Sequence, residues 1–233
     1  MKTNNISLVI LSFAIIIAGY FIGNMKSKAN QTNRDVTVKG LAIKQVAADV
    51  AIWPMEIKFS GNDLSHLYQE VQNQKEAVRS FFINLGFNSS EVNVGATNVF
   101  DRRMNTYESD YSGDRYILGA ELTIRTNDIP LIQKAQSDII DLIGKGILVT
   151  SKNEWRPIEY RFTGLNDIKP GMIEESTLNA EEAASKFAES TSSKLGNIKS
   201  ATQGLFTIND LDMNTPEIKE VRVVSTVSFY LKD

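Results

Sequence analysis

Pro54-Met55-Glu56-Ile57-Lys58-Phe59-Ser60-Gly61 is matched later in the chain by Pro157-Ile158-Glu159-Tyr160-Arg161-Phe162-Thr163-Gly164; four positions are identical and the others chemically similar. Trp53 and Trp155 stand just before the two segments. In each, an apolar series (Met55, Ile57, Phe59; Ile158, Tyr160, Phe162) alternates with an acid, a base and a hydroxyl. Side chains on a strand alternate faces, so each segment predicts a strand with one buried face and one face carrying a Glu beside its base. Each is followed by a helical stretch, a Leu-Gly pair (Leu85-Gly86, Leu195-Gly196) and two more strand-like runs. The repeated order predicts an α+β fold of internally duplicated β-α-β-β units, about 46–126 and 147–233, with an intervening helix.

The helices have readable ends. Asp63 is the expected N-cap of a helix to Leu85, with Leu64, Leu67, Tyr68, Val71, Val78, Phe81, Phe82 and Leu85 at 3–4 residue spacing and Gly86 as its stop. Asp128, with Pro130 in the first turn, opens the intervening helix to Ile143. A third helix, Met172–Leu195, carries Ala180, Ala183, Ala184, Ala188 and Thr191 as a small-residue face with Phe187 as its large anchor. Such a face suits close packing on a sheet.

The N-terminus is different. Ile6 to Gly23 runs 18 residues without a charge. As a helix it would span ~27 Å, enough for a bilayer core. Residues 1–24 therefore read as a signal-anchor or a signal peptide, with 25–35 as a polar linker; no A-x-A-like cleavage site favours the anchor. Lys26, Lys28 and Arg34 follow the segment and only Lys2 precedes it, so charge alone does not place the remainder outside the cytoplasm.

Composition narrows function. There is no cysteine, which excludes disulfides, thiolate nucleophiles and Cys-ligated zinc. The net charge is −3, and removing the three lysines of the first 29 residues takes it to −6. That balance gives no general attraction for nucleic acid. The one histidine, His66, falls on the polar side of its helix and reads as exposed and solvated. No serine elbow, P-loop or GxGxxG is present; Gly144-Lys145-Gly146 reads as a turn. No catalytic, cofactor-binding or metal-ligating residue is nominated. The aromatic residues Trp53 and Trp155, with Tyr107 and Tyr111 in the mixed-charge loop Asp101–Gly113, are the candidate interface anchors.

Val36-Thr37-Val38-Lys39-Gly40, Ala48-Asp49-Val50-Ala51-Ile52, Tyr116-Ile117-Leu118-Gly119-Ala120-Glu121-Leu122-Thr123-Ile124, the Ala-rich helix with Lys194-Leu195-Gly196, and Val221-Arg222-Val223-Val224-Ser225-Thr226-Val227-Ser228-Phe229 occur in an order and spacing that resemble the SIMPL-domain family of envelope proteins. The resemblance covers 36–233. It implies a periplasmic or otherwise extracytoplasmic protein, large ring- or channel-like homo-oligomers in some members, and links to envelope or oxidative stress. It implies no agreed enzymatic activity. The expectation is thus a non-enzymatic envelope protein that self-assembles or binds a partner. The alternatives are a carboxylate-based hydrolase and a small-molecule or peptide binder using a cleft between the repeats.

Overall fold

The computed structural model describes residues 10–21, 34–105, 113–151 and 157–232. Tyr107, Tyr111 and Trp155 lie outside the described residues. The chain forms two compact units: a central one, Gln45–Leu165 with Ile208–Glu220, and a flanking one, the residues up to Lys44 with Asn166–Thr207 and Val221–Asp233. The mixed α+β class expected from the sequence is what is observed, with two antiparallel sheets.

Residues 10–21 form helix α1, and all of them are exposed. Among the described residues no helix is long and apolar enough to cross a membrane. The expected Ile6–Gly23 segment runs past the described residues at both ends.

The central unit contains β2 (Val50–Gly61), α2 (Leu64–Leu85), β3 (Val92–Asp101), α3 (Arg102–Asn105) and β4 (Tyr116–Thr126), followed by α4 (Ile129–Asp138), α5 (Ile140–Gly144), β5 (Val149–Ser151) and β6 (Glu159–Arg161). The sheet order is β3-β4-β2-β5, with β6 also on β2. β2 and β4 pair antiparallel from Ala51↔Thr126 to Gly61↔Tyr116. Trp53, Met55 and Ile57 from β2, and Leu122 and Ile124 from β4, turn to one face and are buried under Val78 and Phe82 of α2. The α2 ends are those the sequence announces. The Asp63 side chain accepts from the N–H groups of Ser65 and His66, and Gly86 ends the helix at φ 116, a left-handed conformation that glycine adopts without strain. Asp128 caps α4 by accepting from Leu131 N–H at 2.9 Å.

On the opposite face the alternating polar residues pair along their own strands. Glu56 bridges Lys58 at 2.8 Å and Glu159 bridges Arg161 at 2.7 Å. Asp49, just before β2, holds the chain leaving β6: its carboxylate accepts from Thr163 N–H (2.8 Å), Thr163 Oγ1 (3.0 Å) and Gly164 N–H (3.0 Å).

The flanking unit is built on β1 (Asp35–Ala47), α6 (Leu165–Ser190), β7 (Lys194–Gln203) and β9 (Ile218–Lys232), in the order β1-β9-β7, with β8 (Thr207–Asp210) also on β9. Ala180, Ala184 and Ala188 of α6 are buried together with Val36, Val227 and Phe229. The fit is closest at Gly40, where an added Cβ would stand 1.9 Å from the Ser176 carbonyl oxygen. The small-residue face therefore packs on the sheet, as its composition predicts. Phe187 is not its anchor: it is 49% exposed, because it points away from the alanine row.

The register expected of the second repeat needs correction. The repeat expects Pro157–Gly164 to hold in the second unit the place that Pro54–Gly61 holds in the first, with Phe59 and Phe162 buried in equivalent places. Instead β6 adds to β2 itself, with Val50↔Arg161 and Ile52↔Glu159 as partners. In the sheet that receives β7 and β9 the corresponding place is taken by β1. An alternating pattern fixes which face of a strand is buried, and says nothing about which sheet it joins. Phe59 and Phe162 are half-buried.

Candidate interaction surface

Among the described residues, three strands of ten or more residues end a sheet: β1, β7 and β3. An edge strand presents unpaired N–H and C=O groups to any extended chain that approaches, and natural sheets guard such edges with lysines, prolines or bulges. β1 carries Lys39 and Lys44, and an α6 side chain reaches it where Asn179 Nδ2 donates to the Leu41 carbonyl at 2.8 Å. β7 carries Lys194 and Lys199 and has two register irregularities against β9. β3 is unlike both: from Val92 to Phe100 it has no charged residue and no proline.

β3 has one irregularity, between Val94 and Thr97, after which Thr97 to Asp101 pair with β4 without interruption. The irregular stretch is tied to α2, whose Lys75 Nζ donates to the Gly95 carbonyl at 3.1 Å and to Thr97 Oγ1 at 3.4 Å. The far end is fixed by Arg115. Its guanidinium donates to both carboxylate oxygens of Asp101, at 2.8 to 3.2 Å, and stacks over the Tyr116 ring at 4.7 Å. That bond, with the Arg103 N–H and despite some desolvation, holds the Asp101 carboxyl below the usual carboxylate range. The strand is thus held at both ends, and among the described residues no further strand pairs with its outer edge.

Beside this edge lies an apolar groove of about 370 Å³, walled by Leu64 and Tyr68 of α2 and by Val99 and Leu118 of the sheet. Val99 and Tyr68 are each 54% exposed and Phe100 is 48% exposed. Val99 opposes Leu118 and Phe100 opposes Ile117, so successive residues present to opposite faces. A strand laid along β3 would gain backbone hydrogen bonds and set its alternate side chains over the groove. This combination is how strand-adding recognition sites work.

Of the sequence-nominated anchors, only Trp53 falls among the described residues, and it is not at a surface. It is 3% exposed and packs edge-to-face on Phe82 at 6.0 Å, because it sits on the α2-facing side of a central strand. His66 is exposed, as expected. Among the described residues no group of His, Cys, Asp and Glu could hold a metal ion. Leu64 and Tyr68 were legible only as part of an apolar helix stripe; that they stand exposed beside Val99 is a tertiary fact.

A family model described as SIMPL, a protein of unknown function (DUF541), matches residues 36–229. The chain belongs to the SIMPL family. The match begins within β1 and ends within β9, so this SIMPL domain comprises both units and leaves α1 outside. No curated protein matches the chain.

Proposed function

We propose that this SIMPL protein is a non-enzymatic, membrane-tethered extracytoplasmic module that self-assembles by strand addition at β3, the occupant of the edge being β3 of a second copy. The carrying observation is the uncharged Val92–Phe100 edge, set against the lysine-guarded edges of β1 and β7. A two-fold axis through an antiparallel β3 pair matches the strand with itself, and an uncharged strand meets no like charge there. The same symmetry places Val99 and Phe100 of each copy near the groove and the outer face of the other. A role in envelope or oxidative stress belongs to the same proposal, on family resemblance alone.

The tether reading is supported by α1, whose Ile10, Phe13, Ile16 and Phe21 are each more than 60% exposed among the described residues; exposed apolar side chains suit a lipid environment. The orders β3-β4-β2 and β7-β9-β1, in which the third strand in the chain lies between the other two, support reading the two units as copies of one β-α-β-β plan in which β1 supplies the first strand of the flanking copy. Against a carboxylate-based enzyme stands the direction of the carboxylate shifts. Asp101, Glu182 and Asp212 are all lowered by local hydrogen bonds, whereas a general acid working near neutral pH needs a raised value.

Light scattering on the detergent-solubilised full chain tests the assembly reading. The parent chain is expected as a dimer or larger species. Val99→Lys, which sets two lysines close together across the two-fold, should reduce its mass. Ile198→Lys on the β7 edge should not. A monomeric parent, or an unchanged mass in Val99→Lys, overturns the proposal.

A further inference from the structure

The central unit contains a second feature, separate from the β3 edge. A cleft of about 430 Å³ opens between α4, β6 and the turn joining β8 to β9, with Gln133, Tyr160, Asp210, Asn214 and Glu217 among its lining residues. That volume lies within the range of small-molecule sites. A smaller hollow of about 220 Å³ continues from it past Tyr160 to Lys219.

Among the described residues, one of the charges around the cleft has no counter-charge. Asp210 is ion-paired with the buried Lys219, and Glu159 with Arg161. Glu217 is half-buried, and among the described residues its carboxylate has no hydrogen-bond or ion-pair partner. Its backbone is held in place, the carbonyl accepting from Ala48 N–H at 2.7 Å. The preceding turn is fixed by Asp212, which accepts from Asn214 N–H at 2.7 Å and Thr215 N–H at 2.8 Å. Tyr160 is 8% exposed and lines the cleft; its hydroxyl is accessible there and has no hydrogen-bond partner among the described residues. Burial first, and the negative charge of Glu217 second, raise the Tyr160 hydroxyl above its ordinary value, so the carboxylate acts on the phenol within the cleft. A half-buried carboxylate and an accessible phenol hydroxyl, both lining one cleft and neither partnered among the described residues, are two acceptors open to a donor.

We propose that this cleft binds a primary ammonium group, held between the Glu217 carboxylate and the Tyr160 hydroxyl oxygen, with the side-chain amides of Gln133 and Asn214 available to the rest of the ligand. An anion is disfavoured by Glu217 and by the paired state of Lys219. The ammonium comes from a free amine or from a lysine side chain, since both present the same group.

Calorimetric titration of the full chain tests this with three probes: 1,5-diaminopentane, a Gly-Lys-Gly tripeptide blocked at both ends, and glutarate as the charge-reversed control of matched length. The diamine or the tripeptide should bind and glutarate should not; the tighter of the two names the source. Glu217→Gln should weaken binding at least tenfold and Tyr160→Phe severalfold, with unchanged melting curves marking both variants as folded. Glu181→Gln, at an exposed position of α6, should leave binding as it is. Failure of both cationic probes to bind, equal binding of glutarate, or full affinity in Glu217→Gln overturns the proposal. None of these outcomes depends on whether β3 pairs.

Discussion

Replacing Gly40 by Ala adds one methyl group to β1 where it faces α6. Its Cβ would stand 1.9 Å from the Ser176 carbonyl oxygen and 2.4 Å from the Ala180 nitrogen. Both are helix backbone atoms, so no change of rotamer makes room. Reaching even the 3.0 Å floor of real Cβ contacts requires α6 to retreat by about 1.1 Å. Overpacking of this kind costs roughly 1–3 kcal/mol. The retreat also breaks the buried 2.6 Å hydrogen bond between Ser176 and Ser225, which adds about 1 kcal/mol because the Ser225 hydroxyl is then left unsatisfied, while Ser176 keeps its bond to the Ile173 carbonyl. Gly40→Ala should therefore cost about 3 kcal/mol. Gly171→Ala is the internal comparison. It makes the same chemical change inside α6, where a Cβ meets nothing within 4 Å, and should stabilise by about 0.5–1 kcal/mol through helix propensity. Urea unfolding followed by far-ultraviolet circular dichroism measures both. A cost below about 1 kcal/mol for Gly40→Ala would refute the close packing of α6 on β1.

Phe82→Ala should cost about 3–5 kcal/mol, since the ring is fully buried among Trp53, Phe81 and Phe87, and Phe59→Ala should cost clearly less because Phe59 is half-buried; the same urea series ranks them. Asp49→Ala removes an acceptor of three hydrogen bonds from the Thr163–Gly164 turn and should cost about 2 kcal/mol, visible as a lower urea midpoint. Asp101 gives a pH dependence of known sign. Its folded-state pKa lies below the ordinary 3.8, so its pairing with Arg115 contributes fully above that value and is lost as pH falls through the lowered one. Asp101→Asn should lose stability at pH 7 and show a shallower decline in acid than the parent, by thermal melts across pH 7 to 2.

The helices were legible because their determinants are local. Asp63, Gly86 and Asp128 act within a turn of their own positions, and a stripe such as Leu67, Val71, Val78 and Phe82 needs only the helical period. The alanine row of α6 was legible for the same reason. The destination of β6 was not, because the alternation in Ile158-Glu159-Tyr160-Arg161 is satisfied equally well in either sheet. Only long-range pairing decides, and β1, more than a hundred residues earlier, had taken the place. Trp53 misled for a related reason: a Trp is equally at home in a core and at an interface, and its strand position put it in the core. The β3 edge shows in the sequence as an uncharged run, yet that run becomes an edge only when no further strand pairs with it. The cleft at Tyr160 joins residues far apart in sequence, and no local pattern marks Glu217.

Single-cysteine cross-linking probes strand pairing at β3 in the full chain, because the parent has no cysteine and each variant carries a single thiol. Cysteines placed in turn at Thr97, Asn98, Val99 and Phe100 of the full chain are oxidised in the membrane and resolved on a non-reducing gel, beside cysteines at Ile198 and Ser200 on β7. Pairing at β3 should give a cross-linked dimer from its positions, strongest at the one nearest the two-fold, and little from β7. No dimer from any β3 position, or equal yields from both edges, would contradict it.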